Sequence, residues 1–381
     1  MAATYFAAFT LYTRSTYISR LPYTKLILGY AIWVFIAAIR GALIAENYWE
    51  YKSLIQGTAS VLMPLLIWPL ASPTVLGKTL SFWMRIAVPL FALFAYLLSS
   101  DAYGFYLAPL VLFLLLLPLL KFWQQAFILA LGAIVILANL DARSNILRFS
   151  IPLLFAGPFY FRNYIGARVS RVGFSLFFLL PPTLLLLGSS GIFNVFRMQD
   201  YVRPESIGLS TDNYKTVTAD TRTFIYDEVW QSAKCHAYIW TGRSLARGYD
   251  SEYFGNNSLD LGIGKKERYG SEVGMMNIFT WLGIPGALLY SAIFLAASHM
   301  AINQSASFSL KLVGLYVAFR WAFSWVEEGA FFGISYFALW MLVAICFSPQ
   351  FRAMTDTEIR SWIRALIPTP IRWRGGESGE A

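Results

Sequence analysis

Four arginines, Arg222, Arg243, Arg247 and Arg268, fall close together in residues 194–274, the only long polar stretch of a chain built from apolar segments. A guanidinium stays charged at every relevant pH and its planar fork matches phosphate oxygens, so such a group suits a diphosphate leaving group. The bland alternative is that they pair with Asp227, Glu228, Asp250 or Glu252 on a solvated surface. Two side chains nearby could accept a proton. Glu272 stands at the mouth of the next apolar helix, where burial would raise a carboxyl pKa or where it simply caps the helix against its dipole. His236 could act as a base or merely pack, and no second histidine nearby suggests a metal.

A second cationic group lies in Asp141-Ala-Arg-Ser-Asn-Ile-Leu-Arg, a short turn between two apolar runs. Arg143 falls at its membrane boundary and Arg148 about one turn deeper, where an unpaired charge costs roughly 2.5 to 3.5 kcal/mol. Such residues persist for a partner or a ligand. Arg40 and Arg320 are placed likewise, with Glu46 and Glu327 near enough in sequence to neutralise them.

These residues must be positioned by a membrane framework. Hydrophobic residues make up 57% of 381 positions and charged ones 13%, with mean hydropathy +0.54, which excludes an ordinary soluble domain. A spanning helix needs roughly 20 mainly apolar residues. Ten stretches qualify, at 24–45, 53–71, 80–99, 103–120, 122–140, 145–160, 172–189, 275–297, 308–325 and 328–348. The fold expected is all-α, a polytopic bundle of about ten spans with one large extracytoplasmic loop. Its parts are residues 1–193 (seven spans), 194–274 (the loop), 275–349 (three spans) and 350–381 (a tail).

Basic residues mark the inner ends of spans. Arg14, Arg20, Lys25, Lys78, Lys121, Arg162, Arg168, Arg171, Lys311, Arg352, Arg360, Arg364, Arg372 and Arg374 fall on one side; Glu46, Glu50, Asp101, Asp141, Glu327 and Glu328 fall on the other. Both termini are therefore expected inside and the loop outside, with the first span kept as an uncleaved anchor. This topology accounts for the net charge of +9, and the loop holds ten basic against eleven acidic residues, so nothing favours a nucleic acid. Cys235 and Cys346 are expected at different depths, which argues against a disulfide. In the tail, Ile359, Trp362, Ile363 and Leu366 share a helical stripe before Pro368, the pattern of an amphipathic helix on the inner membrane surface. Within the loop, a helix capped by Asp220 or Thr221 is expected to set Ile225, Val229, Trp230 and Ala233 on one side. Gly242, Gly248 and Gly255 let the backbone turn beside Arg243 and Arg247.

Three features together resemble the bacterial O-antigen polymerase and O-antigen ligase family, multi-span enzymes acting on undecaprenyl-diphosphate glycans. They are the Asp-Ala-Arg-Ser turn at Asp141 to Ser144, a late outer loop with Arg222 opening a helix and Thr-Gly-Arg-Ser at Thr241 to Ser244, and Leu-Gly-Ile-Pro-Gly at Leu282 to Gly286. The resemblance covers residues 125–300. It implies a fold similar to the glycosyltransferase C superclass, in a bacterial inner membrane with the loop periplasmic. It also implies that Arg143 and Arg222 contact the diphosphate, with Arg243 or Arg247 assisting; Arg268 from the loop cluster and Arg148 from its depth in the membrane complete the candidate substrate-binding set. Tyr249 and Trp230 are among the aromatics that could stack on sugars or pack the loop. The family's ligases carry a His-Asn pair where this chain has Ser271-Glu272, which favours a polymerase and leaves the base open between Glu272 and His236.

The chemistry implied needs no metal or cofactor. An acceptor hydroxyl displaces the lipid diphosphate from an anomeric carbon, and the protein orients the two and screens the charge. Membrane lipids and a polysaccharide chain-length regulator are the further conceivable partners. A ligase to lipid A core, a synthase of peptidoglycan-like polymers and a lipid-linked oligosaccharide flippase are the rival readings. Transporters pair their halves and carry charge through the midplane, whereas here only Arg85 lies toward the inner part of a span.

Overall fold

The computed structural model describes residues 21–138, 143–163, 167–192, 222–256, 265–327 and 330–368, without the side chains of 101, 143–145, 167–168 and 189. Arg14, Arg20, Asp141, Glu328, Arg372 and Arg374 lie outside the described residues, as do the side chains of Asp101, Arg143 and Arg168. Helices dominate, and five are long and apolar enough to cross a membrane: Thr24–Ile44, Tyr48–Leu70, Pro73–Leu97, Val169–Gly188 and Gly274–Gln304. In chain order they are α1 (Thr24–Ile44), α2 (Tyr48–Val61, extended by short turns to Leu70), α3 (Pro73–Phe82, continuing irregularly to Leu97), α4 (Ser100–Tyr106), α5 (Leu110–Leu115), α6 (Phe122–Ala138), α7 (Arg143–Ala156), α8 (Ala167–Ser189), α9 (Thr223–Cys235), α10 (Gly274–Gln304), α11 (Phe308–Phe323), α12 (Ile334–Phe347), α13 (Pro349–Ala353) and α14 (Asp356–Leu366).

The remaining expected spans are shorter, for visible reasons. Residues 103–120 break into α4, α5 and a final turn because Pro109 and Pro118 lack the amide that a continuous helix needs. Every residue of α5 is buried, so this stretch is apolar as core rather than as lipid-facing surface. α12 has 14 residues, nearly all buried; at 1.5 Å per residue it is about 21 Å long, less than a hydrocarbon core. α6 and the run Ile146–Phe161 are likewise apolar but short.

Two polar layers close opposite ends of the bundle. At one end Arg40 of α1 and Glu50 of α2 meet the segment 241–268. At the other, α14 docks beneath α3, α5 and α6: Trp362 Nε1 donates to Pro73 O at 3.1 Å, Arg364 Nε to Leu119 O at 2.7 Å, and Gln124 Nε2 to Arg364 O at 3.1 Å. α14 begins with a capping box between Thr355 and Glu358. Its apolar stripe is where the sequence places it, but Ile359, Ile363 and Leu366 are buried against the bundle rather than turned to lipid. Asp356 fastens the same layer to the start of α11 by accepting from Ser307 and Ser309 hydroxyls at 2.5 and 2.7 Å.

Candidate functional site

α9 starts one or two residues later than its candidate caps suggest: Arg222 is the N-cap, its carbonyl accepting from Ile225 N. Asp220 and Thr221 lie outside the described residues. Ile225, Val229 and Ala233 are buried, and a small core of Ile225, Val229, Tyr249 and Val273 seats the helix on the first turn of α10. Trp230, expected on that side, is half exposed.

The Thr-Gly-Arg-Ser and Leu-Gly-Ile-Pro-Gly motifs meet. Gly283 breaks α10 with φ 67°, ψ −170°, and Gly242, at φ +72°, lies against it: a Cβ on Gly242 would sit 2.4 Å from Trp281 O, and one on Gly283 2.4 Å from Trp240 O. Pro285 cannot donate, and the backbone groups freed by the break find other partners. Arg243 N donates to Thr280 O at 2.7 Å, Ile284 N to Ile239 O at 3.0 Å, and Trp33 Nε1 to Leu282 O at 2.9 Å. The Arg40 guanidinium caps this junction, donating to Thr241 O and Gly242 O at 2.8 and 2.7 Å. Those carbonyls, rather than Glu46, are its partners. From Ile284 onward α10 runs about 31 Å, enough by itself to cross a hydrocarbon core, so the roughly three turns before it belong to the polar layer.

Arg243 and Arg247 converge on one buried carboxylate. Glu267 accepts from Arg243 Nη2 at 3.0 Å, from Arg247 Nε at 2.9 and 3.0 Å and from Gly248 N at 3.2 Å, with a further close contact to Arg247 Nη2. A two-stranded ribbon, β1 (Tyr249–Asp250) with β2 (Glu267–Arg268), brings the partners side by side. Arg243 also donates to Gly248 O at 2.9 Å and Asp250 Oδ1 at 2.8 Å. Asp250 Oδ2 lies 2.6 Å from His236 Nε2. Burial works to raise the Asp250 carboxyl, but hydrogen bonds and charge from Arg243 and His236 outweigh it and hold it below its ordinary value. The Glu267 hydrogen bonds raise Arg247 above its own. Lys265 extends the network to α2, 2.7 Å from buried Glu50 and 2.8 Å from Glu46. Two of the four loop arginines thus hold the layer together. The acid chiefly responsible is Glu267, which none of the sequence-based pairings named.

The other two arginines lie at the N-terminal end of α9. Arg222 Nη2 is 2.6 Å from Glu327, and its Nε donates to Val326 O at 3.2 Å. Arg268 Nη2 is 2.8 Å from Glu272, which is 42% exposed rather than buried. The Arg268 guanidinium lies 4.0 Å above the Phe254 ring, which neighbours Phe224 at 5.9 Å; Phe224 in turn meets Tyr253 at 4.8 Å. Tyr249 is buried, its hydroxyl accepting from Arg268 at 3.4 Å and pushed up to about 12 chiefly by burial, so it supports Arg268 and offers no face to a sugar. His236, at the other end of α9, is about 20 Å from Arg222 by helical rise.

Between α8, α9, α10 and the end of α11 opens a groove of about 760 Å³, lined by residues including Leu184, Tyr226, Trp230, Phe279, Leu288 and Val326; its lining takes in Thr223, next to Arg222, and Val326, whose carbonyl accepts from Arg222. Its walls are apolar apart from Asp227 and Thr223 at the polar end, and its size suits one small-molecule ligand or lipid chain. Tyr226 closes one corner by donating to Trp325 O. Arg148 and Arg320 gather elsewhere, on α7 and α11.

No family model matches the chain, nor does any curated protein or solved structure. Function is therefore argued from the site itself. Sequence reading missed Glu267, Lys265 and the groove. The groove's walls come from four separate segments, so no local pattern in the sequence marks it.

Proposed function

We propose that this chain is a membrane-embedded glycosyltransferase that moves a growing glycan from undecaprenyl diphosphate to a lipid-linked repeat unit, a surface-polysaccharide polymerase with its polar loop layer on the periplasmic side. The observation that carries it is a large apolar groove whose lining includes Thr223 and Val326, the residues next to and hydrogen-bonded to Arg222: a charged fork beside a lipid-sized hydrophobic slot suits an anion attached to a long hydrocarbon. The tail would lie along Trp230, Phe279 and Leu288, and the diphosphate would meet Arg222 and Arg268. The aromatic shelf of Phe224, Tyr253 and Phe254 would face the first sugars. The ten-segment topology with both termini inside, and a glycosyltransferase C-like plan, belong to the same reading. Support comes from the two polar layers lying at opposite ends of the bundle.

In the reaction, the acceptor hydroxyl oxygen bonds to the anomeric carbon as the bond from that carbon to the diphosphate oxygen breaks. Undecaprenyl diphosphate departs with the electron pair, and Glu272 takes the hydroxyl proton. Arg268 holds the Glu272 carboxylate from one side, whereas His236 belongs to the separate network around Asp250. A single displacement inverts the anomeric centre. The decisive assay incubates the purified chain with a synthetic undecaprenyl-diphosphate repeat unit and separates the products by size. A ladder is expected from the native protein and none from Arg222→Ala at unchanged melting temperature; full activity of Arg222→Ala removes the arginine from the site. Glu272→Gln is expected to slow transfer by on the order of 100-fold, the usual worth of a general base, and an unaltered rate removes Glu272.

A further inference from the structure

Arg85 lies midway along Pro73–Leu97, one of the five helices long and apolar enough to cross a membrane, about 18 Å by helical rise from either end. It is exposed, and the stripe it shares is otherwise apolar, with Phe82, Ile86, Leu90 and Leu93 exposed around it. Among the described residues Arg85 has no hydrogen bond, ion pair or ring contact. A charge turned toward hydrocarbon at that depth is costly and calls for a counter-charge. The local backbone holds it there. Pro89 has no amide to donate to Arg85 O, four residues earlier, and its ring crowds that carbonyl. The turn before it, Trp83–Ala87, is π-helical, an adjustment that accommodates such breaks in spanning helices. On the opposite side of this turn Trp83 and Met84 are buried, and Trp83 stacks on Phe113 at 6.2 Å and donates to Tyr106 O at 3.3 Å, which fixes Arg85 on the outward side.

We infer that this face of α3 docks a spanning helix of another membrane protein, one that carries an aspartate or glutamate at mid-depth, with Arg85 as its counter-charge. Three occupants differ in what they offer. A phospholipid phosphate stays at the bilayer surface, about 15 Å from the midplane. Snorkelling carries side chains near helix ends to that surface, which suits exposed Lys78, two turns nearer the Pro73 end, and not Arg85. A second copy of the chain brings no carboxylate to this depth: the five spanning helices contain none beyond Glu50, which lies in the first turn of Tyr48–Leu70 and pairs with Lys265 in the loop layer. Two copies meeting on this face would also oppose like charges. A foreign helix with a carboxylate supplies what is missing. Its two oxygens match the guanidinium fork, and they do so where water and salt screen the pair least. Phe82, Ile86 and Leu93 give the same helix a surface to pack on.

The test places the full chain, labelled away from α3, in phosphatidylcholine vesicles with a synthetic single-span polyleucine peptide carrying one mid-span Glu, and reads association by energy transfer. The Glu peptide is expected to associate about tenfold or more tightly than its Gln counterpart. Arg85→Leu should erase that difference while melting at or above the native temperature, because a leucine facing lipid replaces an unpaired charge. Equal association of the two peptides, or a Glu preference that survives Arg85→Leu, overturns the inference. A lower melting temperature for Arg85→Leu would give the arginine a role inside the chain and overturn it as well. So would displacement of the Glu peptide by added phosphatidylglycerol, which assigns Arg85 to a lipid phosphate. Energy transfer between two copies of the chain that vanishes with Arg85→Leu would assign the face to self-association and likewise overturn it. No glycan transfer enters the readout, so its result stands apart from the function proposed above.

Discussion

Replacing Glu267 with Gln separates structural arginines from substrate-binding ones. The carboxylate is 3% exposed and faces Arg243 at 8% and Arg247 at 19%. Gln keeps the shape and one acceptor oxygen but removes the charge that both guanidiniums share. Hydrogen bonds to charged groups contribute about 1.5 to 3 kcal/mol each, and breaking a buried ion pair costs about 3 to 5 kcal/mol because the surviving charge is left uncompensated. The loss falls on the loop layer, since Glu267 ties β2 to the turn at Gly248. Amide hydrogen exchange of the protein in nanodiscs should show residues 243–250 losing protection by about 3 to 5 kcal/mol, while α12 keeps its protection. A change below about 1 kcal/mol would mean that the arginines are not held by Glu267, and would return Arg243 and Arg247 to the list of diphosphate ligands.

Two further outcomes follow from the same contacts. Gly242→Ala and Gly283→Ala each place a Cβ about 2.4 Å from a backbone carbonyl oxygen at positive φ. Each should lower the melting temperature by several degrees, since left-handed backbone alone costs roughly 1 to 2 kcal/mol; native melting would refute the interlock between the two glycine motifs. Asp250 is held below its ordinary value in the folded chain, so its contribution is present above about pH 4 and is lost as pH falls through the folded value. Protection of the α9 to β1 region should therefore decline on acidification below that point. Asp250→Asn should abolish the decline, and an Asn variant that titrates like the native chain would show that another group governs it.

Much of this was legible before any coordinates. Apolar runs of spanning length identify α1, α2, α3, α8 and α10, because a helix facing lipid must be apolar over its whole exposed length. At α5 and α12 the same criterion does not separate a span from a core helix, since a helix buried in protein is apolar for a different reason. The helix at Thr223–Cys235 followed from its spacing, and the end of α14 from Pro368. Pairing was less accessible: Arg222 joins Glu327 across 105 residues, and Lys265 joins Glu50 across 215. A charge carries no local mark of its partner.

Residue types and their spacing determined on their own that this chain is a helical protein with membrane-spanning segments, and that its charged chemistry concentrates in one polar stretch. Hydropathy and periodicity are local properties of the chain, so they need no knowledge of what packs where. Tertiary structure alone decided that Arg243 and Arg247 share the buried Glu267 while Arg222 and Arg268 pair elsewhere, with Glu327 and Glu272. That division depends on distances between distant segments, set by the break at Gly283 and by the burial of Glu267.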